Sequence, residues 1–504
     1  MSFLNSIFQI GDSNQVSKLL VSLIISLIAI QICKRLWEIF RLPPGPYGLP
    51  FVGYLPFIDE NQSEHYTRLG EKYGSPFSIH LGKYDFVIIN DWFHANEAFS
   101  KEELLARPPE GFAGGLLRGK GIVDLSGQAW KDQRRTALHL LRDIGLGKSV
   151  MEDKIMEEIE TFANELDKHK DKPFNIAELL SASTSNNICV LTYGKRFDYD
   201  DKEKIELDNY TKGTSASVAF TGLATAMPFM IKIFKFFGSK KYKMFIDSAL
   251  KSQEFDERQI KKHQDKEYEH ISDYIDGFLE KIEERKAKRL PQETFNLPVL
   301  RANIGTLFAA GSTTVFSTMS WMILFLVKFP HYQTRIREEI SQVIGTRSPS
   351  HEDRFSMPFT LAYIYETLRY RTNVPLNLPR FSTKDVYLGK HLIPQGTVVI
   401  INFYAIDHDP SLWTDPEKFY PERFLPEDQS KVVIPPYLTP FGGGKRKCMG
   451  ESMALVELFQ YITSIVQKYI LVAHEGPENV SDEQKNGFVS FPAHMPPIVI
   501  RSAH

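Results

Sequence analysis

The chain has 504 residues, of which 42% are hydrophobic, 12% aromatic and 24% charged. That composition supplies a large core and excludes a mainly disordered, collagen-like or low-complexity chain. With 60 Lys+Arg against 62 Asp+Glu the net charge is -2, so no global field draws nucleic acid and any basic site is a local patch. The three cysteines, Cys33, Cys189 and Cys448, are too few and too far apart for a disulfide framework or a zinc cluster, and they fit a reducing compartment.

The run Leu19–Cys33 holds 15 residues without a charge. At ~1.5 Å per residue it is short for a ~30 Å hydrocarbon core, but Lys18 can snorkel at one end and Trp37 can sit at the interface beyond the other. Lys34, Arg35 and Arg41 follow it, and only Lys18 precedes it. The positive-inside rule places the bulk of the chain in the cytosol. The reading is a single membrane anchor with its basic flank over residues 1–42. Pro43, Pro44, Pro46 and Pro50 then form a semi-rigid hinge over 43–50. One large mixed domain fills 43–504, mainly α with a small β region.

Phe77 to Ile89 alternates around Gly82-Lys83 and predicts a hairpin. Leu250 to Leu290 is dense in charge and reads as a solvated helix face. From the cap Asn296 and the first-turn Pro298, one helix is predicted to run to Lys328. It is apolar nearly all round in its second half, so it belongs in the core. At its middle stand Ala309, Ala310, Gly311, Ser312, Thr313 and Thr314. Small residues and hydroxyls there mark a close approach to the backbone, a bend or tight helix packing. Asn303, Leu307, Ala310 and Thr314 are spaced to share one face. Val386 to Asn402 predicts a second strand pair turning near Pro394-Gln395-Gly396.

The segment Phe441-Gly442-Gly443-Gly444-Lys445-Arg446-Lys447-Cys448-Met449-Gly450 is the most specific in the chain. Glycines permit a tight loop, and backbone N–H groups and cations beside a cysteine favour thiolate. At ~5% usage each, Phe, Gly, Arg, Cys and Gly at these offsets arise by chance in about one chain in several thousand.

Phe441, Gly444, Arg446, Cys448 and Gly450 match the signature of the cytochrome P450 family of haem-thiolate enzymes, and the chain resembles that family from the hinge to the C-terminus. Glu366 and Arg369 match the family's Glu-x-x-Arg helix, and Arg423 matches the later arginine that completes its ion network. Trp130 and Arg134 match a Trp-x-x-x-Arg helix, one turn apart and able to reach a haem propionate together. Arg380 and Arg446 match two further propionate partners. Leu141 to Lys148, Phe329 to Gly345 and Asp409 to Phe424 are similar to the animal microsomal drug- and steroid-oxidising branch.

The resemblance implies the cytochrome P450 fold and haem b with Cys448 as axial thiolate, which favours O–O cleavage. It implies space for O2 at Ala310 and Gly311, and an oxygen-facing hydroxyl at Thr314 that orders a water. The preceding position is normally acidic and here is Thr313, a poor acid at neutral pH. Electrons from NADPH are expected through the membrane-bound reductase, with cytochrome b5 as a second partner. Lys131, Arg135, Lys445 and Lys447 are a candidate docking face or ordinary solubilising charge. A lipophilic small molecule is the expected substrate, near Phe112, Phe220, Phe308, Val374 and Phe488, of which the four phenylalanines suit core packing equally. The expected location is the endoplasmic reticulum membrane, with the catalytic domain in the cytosol. An isomerase or dehydratase on the same haem site, or a non-catalytic haem-thiolate sensor, are the alternatives.

Overall fold

A computed structural model of the chain describes residues 19–26, 29–30, 40–109, 121–147, 149–216, 227, 229–265, 271–485 and 487–503. Residues 19–26 are helical, with Leu19, Leu20, Val21, Leu23, Ile24 and Ile25 all exposed. The proline hinge is docked on the body rather than free. The Ser78 N–H donates to the Pro44 carbonyl at 2.9 Å, and the Ser78 hydroxyl to the Pro43 carbonyl at 2.6 Å. Gly45 permits this approach, because a Cβ there would lie 1.7 Å from the Ser78 carbonyl oxygen.

Near the hinge lie α1 (Gln62–Tyr73) and α2 (Trp92–Ser100). Then come α3 (Gly127–Ile144), α4 (Ser149–Asp167), α5 (Ala177–Tyr193) and α6 (Lys202–Ala216). They are followed by α7 (Phe229–Phe236), α8 (Lys240–Gln264) and α9 (Tyr274–Ala287). The central helix is α10 (Leu297–Lys328), and α11 (Pro330–Val343), α12 (Pro358–Tyr370), α13 (Phe403–Asp407) and α14 (Glu451–Lys468) follow it.

α10 begins as the sequence predicts. The Asn296 side chain accepts from the Val299 N–H at 3.0 Å, which satisfies one orphan donor of the first turn. It ends at Phe329, since Pro330 cannot continue the ladder and instead opens α11. It is long and apolar enough to cross a bilayer, yet 72% of its most apolar stretch is buried inside the protein. Its second half, Ser317 to Val327, is buried all round, in a core shared with α5, α11, α12 and α14.

Four strands form the main sheet in the order β1-β2-β6-β3. β1 (Phe77–Leu81) and β2 (Tyr84–Ile89) make the predicted hairpin, with a positive φ at Gly82 as a two-residue turn needs. The second expected strand pair is only partly correct. β4 (Val386–Leu388) pairs with β5 (His391–Ile393) across Gly389-Lys390, not across 394–396. The turn at Pro394-Gln395-Gly396 instead leads into β6 (Val398–Ile401), which crosses to the main sheet and runs parallel to β2. The reason is burial. All four β6 residues are buried, as a central strand requires, whereas Tyr387 on β4 faces solvent. β3 (Arg380–Phe381) closes the sheet, and β7 (Tyr469–Ala473) pairs with β10 (Ile498–Ser502), β8 (Gln484–Lys485) with β9 (Phe491–Pro492).

The charged stretch 250–290 is mostly solvated, with buried exceptions. His263 Nε2 lies 3.0 Å from Asp273 Oδ2, and the Tyr193 hydroxyl donates to Asp256 at 2.8 Å. These pairs tie α8 to the start of α9 and the end of α5.

Candidate active site

The cysteine loop is held by glycines where α2 presses on it. A Cβ at Gly443 would lie 2.4 Å from the Phe99 ring, and one at Gly444 would lie 2.1 Å from the Phe99 carbonyl oxygen. Gly444 also needs a φ of 66°. The Cys448 N–H donates to the Phe441 carbonyl at 2.9 Å and closes the loop. The Gly450 N–H donates to Cys448 Sγ at 3.3 Å, just ahead of α14. Sγ therefore sits at the N-terminal end of an 18-residue helix, where backbone dipoles favour negative charge. Cys448 is exposed to solvent. Desolvation by the surrounding protein still pushes its thiol pKa up, and the Gly450 N–H and Arg134 oppose that push. Cys189 differs: it is buried in the core, and burial pushes its thiol far up with little opposition.

Four guanidiniums gather beside the loop. Arg446 donates from Nε to the Leu105 carbonyl at 2.8 Å and from Nη2 to the Leu125 carbonyl at 2.6 Å. Its guanidinium lies 3.9 Å from the centre of the buried Trp130 ring. Arg134 Nη2 donates to the Lys447 carbonyl at 2.5 Å. Arg380 reaches the Gly443 carbonyl at 3.3 Å, and its buried Nε has no hydrogen-bond partner among the described residues. Arg107, which the sequence reading missed, donates to the Val123, Leu378 and Pro379 carbonyls.

These cations crowd one another. Burial first, then Arg107, Arg380 and Arg134, push the Arg446 pKa down to about 8, with Asp124 opposing. Burial and Arg380 push Arg107 down to about 9, and burial pushes Arg380 down to about 10. A guanidinium resists losing its proton, so an anion is the better relief.

A second cluster closes on itself. Arg369 makes a two-point contact with Glu366, at 2.8 Å for each bond, and both side chains are fully buried. Arg423 Nε lies 3.0 Å from Glu366 Oε2, and the Tyr420 N–H donates to Oε1 at 2.8 Å. Arg369 also donates to the carbonyls of Asp407, Pro416 and Lys418, and Arg423 to those of Thr414, Asp415 and Lys418. The network thus pins the 407–423 segment onto α12.

On α10 the structure separates residues that the sequence grouped. Ala310 is exposed, and Leu307, Thr313 and Thr314 are half-buried, as are Thr306, Ala309, Gly311 and Phe316 around them, whereas the second half of the helix is in the core. Thr314 Oγ1 donates to the Ala310 carbonyl at 2.8 Å, while Thr313 makes no hydrogen bond among the described residues. Gly311 faces a neighbouring helix. A Cβ there would lie 2.9 Å from Ile188, so its smallness serves the packing of α10 on α5. Phe308 is likewise a core residue, 1% exposed and 6.0 Å ring to ring from Tyr193. Asn303 is buried and structural: its Oδ1 accepts from the Ile122 N–H at 2.8 Å, and its Nδ2 reaches Gln133 and Tyr274. Asn373, also missed, donates to the Thr314 carbonyl at 2.8 Å and to Thr318 Oγ1 at 2.7 Å.

Val374 and Phe488 are half-buried on loops, and Phe112 and Phe220 lie outside the described residues. Lys131 and Arg135 are exposed. Lys445 and Lys447 are exposed but paired, with Glu102 and with Glu451 respectively.

The pattern of the Cytochrome P450 family matches residues 43–496. The chain belongs to the cytochrome P450 family. It is 34% identical over 460 residues to mouse (Mus musculus) cytochrome P450 2C29, covering 90% of this chain and 92% of that one. It is 34% identical over 481 residues to bovine (Bos taurus) cytochrome P450 2U1, covering 89% and 88%. It is also 32% identical over 480 residues to cytochrome P450 18a1 of Drosophila melanogaster, covering 93% and 88%. The chain is thus a haem monooxygenase with the P450 fold, and the family implies haem iron held by a cysteine thiolate. The residues present fit that group. Among the described residues Cys448 is the accessible thiol, and the crowded guanidiniums, with Arg380 Nε lacking a partner there, suit a ligand bearing carboxylates.

Arg107 and Asn373 left no mark that sequence pattern alone could isolate. Each is one polar residue in an irregular segment, and its partners are carbonyls and hydroxyls distant in the chain.

Proposed function

We propose that this P450 oxidises a lipophilic small molecule with electrons passed from NADPH by a membrane-bound reductase, and that Cys448 would hold the haem iron. The observation that carries the reading is the accessible Cys448 Sγ at the head of α14, beside four arginines that meet few anions among the described residues. When bound, haem supplies the activation of O2 and the transfer of one oxygen atom. The thiolate of Cys448 would donate electron density to that iron. Trp130 orients Arg446 by stacking, and Arg107, Arg134, Arg380 and Arg446 would hold the propionates. Glu366, Arg369 and Arg423 hold the chain around the cysteine loop. Thr314 presents a hydroxyl already turned to the Ala310 carbonyl, and Asn373 fixes the Thr314 backbone from the other side. The substrate lies along the accessible Leu307–Thr314 stripe, with Val374 and Phe488 as neighbouring walls.

The decisive measurement is the carbon monoxide difference spectrum of the reduced protein. A strongly red-shifted Soret band is expected. A band typical of a neutral or histidine ligand in folded, haem-loaded protein refutes Cys448 ligation. Turnover that needs both NADPH and O2 separates the monooxygenase from an isomerase or dehydratase, and product formation separates it from a sensor.

With Thr313 in place of an acid, the Thr313 and Thr314 hydroxyls and an ordered water would have to carry protons on this face of α10. The expected consequence is leakage of peroxide. Thr313→Asp should lower the peroxide released per NADPH consumed, and equal or greater leakage counts against this path. The reductase and cytochrome b5 dock on the cysteine-loop face through Lys131 and Arg135, since Lys445 and Lys447 already have partners. Residues 19–33 anchor the chain in the endoplasmic reticulum membrane with the domain in the cytosol, as the flanking charges favour.

A further inference from the structure

We propose that His263, Asp273 and Asp276 form a structural binding site for zinc. His263 stands in the last turn of α8, Asp273 caps α9 and Asp276 lies in its first turn. None of the three belongs to the cysteine loop or its arginines, so the inference stands apart from the haem reading. All three are buried, at 3%, 1% and 6% exposure. One potential ligand atom from each lies within 4.8 Å of the other two.

The surrounding hydrogen bonds decide which atoms face one another. His263 Nδ1 lies 2.7 Å from the Gln259 carbonyl, which can only accept, so Nδ1 carries a hydrogen. In the neutral ring Nε2 then holds the lone pair. It faces Asp273 Oδ2 at 3.0 Å and Asp276 Oδ1 at 4.0 Å. The other carboxylate oxygens are occupied. Asp273 Oδ1 accepts from the Asp276 N–H at 3.0 Å, and Asp276 Oδ2 accepts from the Ser272 hydroxyl at 2.7 Å and the Ser272 N–H at 3.2 Å. The Ser272 hydroxyl also lies 3.1 Å from Asp273 Oδ2. Asp276 Oδ1 is buried with no hydrogen-bond partner among the described residues.

Three lone pairs turned on one another require a cation. A proton on Nε2 satisfies Asp273 and leaves Asp276 Oδ1 bare. It also leaves two carboxylates against one imidazolium, and no Lys or Arg pairs with either aspartate among the described residues. Burying that unmatched charge is costly. A divalent ion cancels both carboxylates and takes the third lone pair. Ligand atoms on a tetrahedral zinc lie roughly 3.3 Å apart for bonds of ~2.0–2.1 Å. The 3.0 and 4.0 Å separations bracket that value. One imidazole with two carboxylates, completed by water, suits zinc better than calcium or magnesium, which prefer oxygen alone. The outer contacts match a metal site as well. The Gln259 carbonyl fixes the imidazole tautomer, and Ser272 orients Asp276. Gly194, in the turn after α5, backs the third ligand: a Cβ there would lie 2.3 Å from Asp273 Oδ2. The ion would thus fasten the α8–α9 connection where it meets the end of α5.

The test uses the untagged, haem-loaded full chain, first dialysed against a chelator and then against zinc at about 10 μM. One zinc per chain should be retained. The zinc K-edge absorption spectrum, which haem iron does not obscure, should show one imidazole with oxygen ligands and no sulfur. Amide exchange over residues 259–265 and 271–277 should slow about tenfold on zinc addition. His263→Gln and Asp276→Asn should each weaken zinc binding on the order of a hundredfold, with the carbon monoxide difference spectrum unchanged. Asp276→Asn keeps an acceptor for Ser272, so it decides the matter should His263→Gln fail to fold. Absence of retained zinc overturns the proposal and leaves a proton-bridged pair. Equal zinc binding by wild type and Asp276→Asn overturns it too, as does sulfur in the zinc spectrum, which would place the ion on a cysteine.

Discussion

Two clusters of arginine in this chain differ in how their charge is met. Around Glu366, Arg369 and Arg423 share one carboxylate, and backbone carbonyls from 407 to 418 take further donors. Around Cys448, Arg107, Arg134, Arg380 and Arg446 find carbonyls but little negative charge, and Asp124 opposes only part of their repulsion. The first cluster is complete within the chain. Among the described residues the second has more cations than anions. A closed network positions backbone, whereas an open one binds.

Breaking the closed cluster should cost most. Arg369→Ala leaves Glu366 buried without its two-point partner, and removing one member of such a pair costs about 3–5 kcal/mol. Thermal melts should show that loss, together with a lower yield of haem-loaded protein. A variant as stable as wild type would erase the distinction between the clusters.

Asp407 sharpens the same cluster through pH. It is fully buried next to Arg369, and burial raises its pKa from the ordinary 3.8 to about 8. Over that interval the folded chain keeps a proton that the unfolded chain has released. Stability is therefore greatest below the unfolded value and falls as pH rises toward 8. Asp407→Asn should flatten this slope, raising stability at pH 8 by a few kcal/mol. Denaturant midpoints at pH 5 and 8 measure it, and parallel slopes in the two proteins would rule it out.

The open cluster should respond differently. Arg107→Gln relieves crowding, so the protein scaffold should lose little. Haem retention should weaken by about tenfold to a hundredfold, the worth of a charge-assisted hydrogen bond. Haem transfer to excess apomyoglobin reads the rate, and the variant fails the expectation if its rate is unchanged. The smallest effect is expected at the rim of that loop. Lys445→Gln breaks an exposed pair with Glu102 and should change stability by less than about 1 kcal/mol, as a melt will show.

Where sequence and structure disagree, long-range packing is the cause. The β4–β5 turn and the crossing of β6 were hidden because the apolar run 398–401 reads alike in a hairpin or a central strand. Gly311 reads as open space until Ile188 is found against it. Arg107 and Asn373 acquire meaning only from distant carbonyls and hydroxyls.

The sequence by itself determined the anchor-like run, the hinge, the span of α10 and the cysteine loop. Each is written in local terms: an uncharged run, fixed-φ prolines, a capped apolar helix, and glycines at set offsets from a cysteine. It also placed Glu366, Arg369 and Arg423 in one network through the resemblance of their motifs. Tertiary structure decided which small residues pack and which remain accessible, and which lysines stay unpaired. It also decided how many arginines converge on the cysteine loop. Those outcomes depend on burial and on charges brought together from distant segments, and no local pattern carries that sum.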